Sequence, residues 1–372
     1  MVSLVFFGDF VCQNPEIVSS SDRLKKWMKA DIVACNFEAP VKSDSKPSYK
    51  SGPNLCQSEQ SPKLLKEMGF NLYQLANNHI MDYGGEGLNK TIEAFRQSYV
   101  IGAGKGSKVY EPLIIEQTGI KIGFLSLVQH EFGVIEDITK DSVGAAWINH
   151  SCVTSKIQFA REKCDILIIL PHAGFENIDA PLPEWRDKYK ALVDLGADIV
   201  IASHPHVPQG WEEYKGKRIY YSLGNFCFDK KIGNNPYWTK SLSVKVSVNS
   251  DLELSFLHEN IVFNEGLLDL DYSDETKQHN NYLQSLLSSK SEYDLYIDNQ
   301  LNIFWESYKL YILRGLGAIS FDASINTFLH SAYGVLKGAD IPMLINNFQC
   351  ETHSWAIQRI LNNKLNKYNN EC

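Results

Sequence analysis

No CxxC pair occurs anywhere in this chain of 372 residues, although it has eight cysteines, Cys12, Cys35, Cys56, Cys152, Cys164, Cys227, Cys350 and Cys372. Several sit inside apolar runs, so they read as reduced, buried thiols; a disulfide framework and a thiolate zinc site are both excluded. No apolar stretch approaches the roughly 20 residues needed to cross a bilayer. A basic leader is missing too. The opening "MVSLVFFGDF" has no Lys or Arg ahead of its apolar residues, and the run stops after seven residues, as a strand does and a signal peptide does not. Positive charge is in deficit, with 36 Lys+Arg against 44 Asp+Glu and a formal net charge of −8, which disfavours a broad nucleic-acid surface. Fixed-period repeats and low-complexity tracts are also lacking. These absences lead us to expect a cytoplasmic protein with no transmembrane segment and no nucleic-acid partner.

What is present is an ordinary globular composition, 44% hydrophobic and 22% charged, in a chain too long for one typical domain. Short apolar runs recur, and each ends in a polar knot. Residues 2–7 lead to Gly8-Asp9, 32–35 to "NFEAP", 72–76 to "NNH", 166–170 to "PHAGFE" and 199–202 to "SHPH". Helical patterns lie between them: "SPKLLKEMGF" with Ser61 as cap, Pro62 in the first turn and a Gly69 stop, then "GGEGLNKTIEAFRQS", and "EWRDKYKALVDLGAD" ending at Gly196. Strand alternating with helix predicts an α/β layered domain, and such domains place their sites at strand ends. Farther on, "SLSVKVSVN" alternates like a half-exposed strand, with "ELSFLHENIVFN" as its hairpin partner. From about residue 273 onward the periodicity is helical, including "INTFLHSAYGVLKG" at 325–338, so a boundary is expected near 268–274, giving domains 1–268 and 269–372.

The knots collect Asp9, Asn36, Glu38, Asn78, His79, His172, His204 and His206. Each has a bland alternative. Asp9 could be a turn residue, Glu38 a solvated loop carboxylate, Asn78 a left-handed turn or helix cap, His172 a satisfied core histidine, and the His204–His206 pair two surface imidazoles beside a proline turn. Jointly those alternatives require five strands to end by accident in potential ligands. Carboxylates, an amide oxygen and imidazoles without thiolate are the ligand set of a borderline-hard divalent metal such as Mn, Fe or Zn. Two such ions about 3.5–4 Å apart can clamp a phosphate and activate water for in-line displacement. The polar loop "SDSKPSYKSGPN" at 43–54 has the length of a segment that covers a site, and its Lys50 and Ser51 are candidate phosphate contacts.

The blocks "FFGDF", "NFEAPV", "LANNHIMDYGGEGLNKTIEAF", "GAGK", "PHAGFE" and "LGADIVIASHPHVPQGWEEYKGKRIYYSLGNFCFD" resemble the CapA family of poly-γ-glutamate or capsule biosynthesis, whose fold is similar to the calcineurin-like metallophosphoesterases. They span residues 2–229. The resemblance implies a four-layer sandwich, two central β-sheets flanked by helices, with the C-terminal helical domain outside it. It also implies that Asp9 and His206 serve one metal, that Glu38 bridges, that Asn78, His172 and His204 serve a second, and that His79 is the catalytic imidazole. Glu176 and Asn225 would be outer or substrate-contacting groups. One departure stands out: the metallophosphoesterase pattern begins Asp-x-His, and Asp9-Phe10-Val11 has valine in the histidine's place.

These features predict a metal-dependent hydrolase of a phosphate ester or phosphodiester, acting on a phosphorylated sugar- or nucleotide-linked intermediate of a surface polymer. Two alternatives stay open: an accessory subunit of a polymer-assembly complex, and an amide hydrolase of a γ-glutamyl polymer, which needs the same metal chemistry. In the tail, Cys350, His353 and Trp355 read as one helix face packed on the main domain. That part is expected to supply a lid, a substrate-selecting wall lined by Trp305, Tyr308 and Arg314, or a homo-oligomer contact.

Overall fold

The computed structural model describes residues 1–230, 235–315 and 341–371. Among these, nine strands form one mixed sheet and six form a second. The first runs, in spatial order, Ser19–Ser20, Leu267–Leu270, Leu254–Asn264, Lys240–Val248, Val2–Val11, Ile32–Phe37, Leu72–Gln74 and Tyr99–Ile101, with Asn225–Phe228 also paired to Val2–Val11. The second runs Trp211–Tyr214, Lys217–Tyr220, Ile199–Ile201, Ile166–His172, Ile120–Val128 and Leu113–Gln117. A small three-stranded sheet, Ala103–Lys105, Val143–Ala146 and Val134–Ile135, stands apart.

Period-two side chains build the layers. Val2, Leu4 and Phe6 face the second sheet and pack with its Ile122, Phe124, Ile166 and Ile168, while Val5 and Phe7 face outward onto Leu24, Leu65 and Leu88 of the flanking helices Asp22–Trp27, Ser61–Met68 and Gly84–Ala94. The second sheet does the same. Leu125, Leu167 and Ile169 point away from the sandwich onto the helices Val153–Lys163 and Pro183–Asp194. The result is the expected four layers, helix, sheet, sheet and helix. Each large aliphatic residue sealed between the sheets contributes roughly 1.5–3 kcal/mol.

Three local expectations are corrected. Ser61 does not cap its helix: Gln60 occupies the N-cap, and the Ser61 hydroxyl donates to the Cys12 carbonyl at 2.7 Å. Gly69 does end that helix, at φ +98°. The hairpin of Lys240–Val248 with Leu254–Asn264 forms, but the first strand is mostly buried, not half exposed, because it lies beside the central strand Val2–Val11. Its Ser243 satisfies its hydroxyl by accepting from Trp27 Nε1 at 2.8 Å and donating to the Phe6 carbonyl at 3.1 Å. The third concerns the tail.

That tail is helical where described: Asp274–Ser288, Lys290–Gly315, Ile341–Gln349 and Glu351–Glu371. Residues 325–338 and the Arg314 side chain lie outside the described residues. Leu287, Tyr293, Ile297, Ala356 and Ile360 join the apolar cluster of Trp185 and Tyr189, so the tail covers the outer helix layer of the second sheet. Cys350 falls between two helices instead of sharing a helix face with His353, because the chain turns there from Ile341–Gln349 into Glu351–Glu371.

His258, on Leu254–Asn264, ties the two sheets together at one edge. It stacks on Trp211 with centroids 4.5 Å apart and lies 2.8 Å from the Tyr220 hydroxyl. Burial, with help from Arg218, pushes its imidazole down to about 4. The unfolded chain takes up a proton near the ordinary value of about 6.5, so native stability should fall as pH drops from there toward 4. His258→Phe keeps the stacking and should flatten the fall in melting temperature between pH 7 and pH 5; an unchanged fall would remove His258 as its source.

Candidate metal centre

The central strands of the first sheet and of the second run parallel, so their C-terminal ends gather along one edge of the sandwich. Asp9 pairs in register with both Asn36 and Asn225. Gly8 makes this possible: a Cβ there would lie 1.7 Å from the Gly224 carbonyl oxygen, and the Asp9 amide donates to that same oxygen at 3.0 Å. His172 is the last residue of its strand and bridges to Ser203. His204 and His206 follow in the loop after Ile199–Ile201, at φ +101° and +63°. Positive φ is costly for a histidine, of order 1–3 kcal/mol each, and such strain gathers at functional sites. The pair therefore converges through a strained loop, not through strand alternation.

Two constellations result, and both are buried. Around His172 Nε2, the Asn78 amide oxygen and His204 Nδ1 each lie 3.1 Å away. Asn78 is oriented, since its Nδ2 donates to Glu131 Oε2 at 3.0 Å. An acceptor oxygen thus meets two imidazole nitrogens, which is what ligands of one cation do. Beside them, His206 Nδ1 stands 3.6 Å from Asp9 Oδ2, His206 Nε2 3.7 Å from Glu38 Oε1, and His172 Nε2 3.8 Å from the same Glu38 oxygen. The two gaps to Glu38 Oε1 exceed a hydrogen bond but fit atoms held by one ion, whose bonds are each about 2.0–2.2 Å, while His206 Nδ1 is taken by Asn225 Oδ1 at 3.0 Å. Asp9, Glu38 and His172 offer ligand atoms all within 4.8 Å of one another. Glu38 Oε1 is buried without a hydrogen bond, an orphan a cation would satisfy.

Electrostatics agree with that fit. Burial, reinforced by the Asp9 charge, holds the Glu38 carboxyl well above the usual range. Burial pushes His172 well down, with His204 and His206 adding to it, and pushes His206 down against the pull of Glu176 and Asp9. Neutral imidazoles are the form that binds metal. Asn36 sits at the centre, its Nδ2 donating to Asp9 Oδ1 at 2.7 Å, and Asn77 fixes it by donating to Asn36 Oδ1 at 3.2 Å and to the Phe37 carbonyl at 2.9 Å. Val11 packs with Ala39, Leu55, Phe228 and Trp238, so no ligand comes from the position of the missing histidine.

Above this floor opens a cavity of about 740 Å³. Lys50, Ser51, Asn78, His79, Glu176 and His204 line it; Asp9, Glu38, His172 and His206 lie buried beneath. Asn225 does not line it: its Oδ1 meets His206 Nδ1 at 3.0 Å and its Nδ2 donates to the Trp238 carbonyl at 3.0 Å. His79 Nδ1 is 2.6 Å from Asp82 Oδ2, which fixes the ring, and Lys50 Nζ pairs with Asp82 Oδ1 at 2.6 Å. Tyr308 and His353 form part of the opposite wall, whereas Trp305 packs into the apolar cluster.

Sequence reasoning missed Asp82, Gln129 and Glu131. Glu131 accepts from Asn78 and stands 3.7 Å from His204 Nε2. Burial raises its carboxyl, but His204, His353 and the amides of Gln129 and Asn78 outweigh that and leave it below the usual range. The signal was available, because Ile120–Val128 is a sixth apolar run that ends in "QHE".

Among the described residues no helix is long and apolar enough to cross a membrane. Residues 7–230 match the family described as bacterial capsule synthesis protein PGA_cap. Over 211 residues the chain is 34% identical to the capsule biosynthesis protein CapA of Bacillus anthracis, covering 54% of this chain and 51% of that one. It is 33% identical over 211 residues to the PGA biosynthesis protein CapA of Bacillus subtilis, covering 54% of each. The chain thus spans about half the length of the curated relatives it matches. Among solved structures, it is similar to a hypothetical protein from Thermus thermophilus, at TM-score 0.43 and 16% identity over 69% of this chain and 99% of that one. A putative 5'-nucleotidase from Staphylococcus aureus matches at TM-score 0.43 and 14% identity, over 77% and 59% of the two chains. With more than half of its residues matched, the chain belongs to the bacterial capsule synthesis protein PGA_cap family.

Proposed function

We propose that this protein is a metal-dependent hydrolase of a phosphate ester or phosphodiester, carried on a sugar- or nucleotide-linked intermediate of capsule or surface-polymer synthesis. The observation that carries the reading is the buried convergence of Asp9, Glu38, Asn78, His172, His204 and His206 at metal-ligand spacing directly beneath a cavity. Asp9, Glu38 and His206 would hold one divalent ion, and Asn78, His172 and His204, with Glu38 shared, a second. Bound there, such ions polarise a phosphoryl oxygen and activate water. His79, with Nδ1 committed to Asp82, has Nε2 left to give a proton to the leaving oxygen. Lys50, Ser51 and Glu176 contact substrate from the cavity wall, and Asn225 acts by orienting His206. In this reading residues 1–268 carry the chemistry, residues 269–372 wall the cavity, and the seven described free thiols fit a cytoplasmic setting.

A second reading has its own support. Val11 is locked in an apolar cluster, which suits a site holding one ion or none and hence an accessory subunit in polymer assembly. Relatives named for PGA biosynthesis also keep γ-glutamyl amide hydrolysis in view. Elemental analysis after Mn²⁺ loading, paired with turnover of an aryl phosphomonoester and phosphodiester, separates these. About two ions per chain and phosphate release support the hydrolase; a folded protein with neither moves the assignment to the accessory role. Release of glutamate from a γ-glutamyl peptide instead would make it the amidase. His79→Ala should cut turnover roughly 10²–10⁴-fold at unchanged metal content.

A further inference from the structure

The first turn of the last helix, Glu351–Glu371, lies far in sequence from the family-matched residues, yet it is fastened to the edge of the metal centre. Glu351 clamps the segment that follows Ile120–Val128. Its Oε2 accepts from the His130 amide at 2.5 Å, and its Oε1 accepts from Trp147 Nε1 at 2.7 Å and Asn149 Nδ2 at 2.9 Å. Thr352 is buried, and its hydroxyl lies 2.6 Å from Gln129 Oε1 and 3.0 Å from the Gly174 carbonyl while accepting from Trp185 Nε1 at 2.7 Å. The Gly174 amide also donates to Gln129 Oε1, at 3.1 Å, so the Gln129 Nε2 end is turned toward Glu131 and His204. Cys350 Sγ sits 3.7 Å from Glu131 Oε1. One short segment thus restrains Gln129 and Glu131 together.

Glu131 is placed to use that restraint. One of its oxygens accepts from the Asn78 amide, whose other end faces His172, and the other oxygen stands nearest His204 Nε2, on the far side of the ring from His172. Carboxylates in that relation to ligands fix ring and amide orientation and tune affinity. We propose that Glu131 is a positioning residue for Asn78 and His204, and that Thr352, through Gln129, holds the loop that carries it. The proposal rests on the metal reading above. It makes the tail part of the working site and not only a wall.

Isothermal titration of the full chain with Mn²⁺, and Co²⁺ absorption spectra, test it in Glu131→Gln, Thr352→Val and Thr352→Ser, with circular dichroism to verify folding. Glu131→Gln should weaken binding of one ion by roughly 10–100-fold and shift the Co²⁺ bands. Thr352→Val changes no charge, so a weaker effect in the same direction, restored by Thr352→Ser, reports positioning and not electrostatics. Ions held as tightly, with unaltered bands, in both Glu131→Gln and Thr352→Val would overturn the positioning role and leave the hydrolase intact. A wild-type chain that takes no ion would overturn both.

Discussion

Glu38→Gln is expected to abolish ion binding and turnover while raising the melting temperature of the ion-free protein. The Glu38 side chain is fully buried beside Asp9, and its Oε1 has no hydrogen bond. Ionising it there costs free energy, which is why burial and then Asp9 hold its carboxyl well above the usual range. The native state therefore binds this proton more tightly than the unfolded chain does. Its stabilising contribution is present below the ordinary carboxyl range and is lost as pH rises through the raised value. His172 and His206, both lowered chiefly by burial, act in the opposite sense, and their contribution is lost as pH falls below about 6.5. In a chelator, Glu38→Gln should remove the alkaline-side loss and gain about 1–3 kcal/mol at neutral pH, the cost of an unsatisfied buried group. The price in Mn²⁺ affinity should go well beyond the roughly 10–100-fold of an outer-shell change. Thermal melts from pH 5 to 9 with chelator, beside Mn²⁺ titration, decide it. A variant less stable than wild type at every pH would show that the carboxylate is not held under repulsion.

Among the described glycines, Gly8→Ala should be the most damaging single added methyl. The clash at 1.7 Å is with a backbone oxygen, which no rotamer change can relieve, so the strands Val2–Val11 and Asn225–Phe228 must separate. Asp9 and Asn225 sit on those strands, and both constellations shift with them. We expect a loss of at least about 3 kcal/mol, at the upper end for overpacking, together with loss of ion binding in whatever fraction folds. Chemical denaturation measures the first. A variant within 1 kcal/mol of wild type, roughly the scale of a tolerated swap, would mean that the two strands have room the structure does not show.

The strand ends were legible because burial on both faces leaves continuous apolar runs, and the turn from Val5-Phe6-Phe7 to Gly8-Asp9 can be seen in five letters. Asp9, Glu38, Asn78, His172, His204 and His206 do come together, and His79 stands at the cavity above them. Glu131 followed the same rule and was overlooked. Asp82 lay three residues beyond His79, within reach of a turn that sequence alone does not fix. Ser61 misled because a serine before Pro62 looks like a cap, whereas its hydroxyl had a backbone carbonyl 49 residues away to satisfy. The clamp by Glu351 and Thr352 was out of reach in principle, since its partners are separated by 167 to 223 residues and no periodicity records which surface a tail helix meets.

The position of Val2–Val11 has a consequence in time. Of the described strands, the one made earliest ends up central, between Ile32–Phe37 and Lys240–Val248 and paired to Asn225–Phe228 as well. Its partners on one side are made early, but those on the other exist only after more than 220 residues have been translated. A nascent chain of this kind holds one open, apolar strand edge for most of its synthesis and closes its sheet late. Asp9 reaches its final surroundings only at that moment, and Glu131 gains its anchor later still, when Thr352 emerges. A chain stalled partway carries every separate ligand of the first strands but no assembled centre.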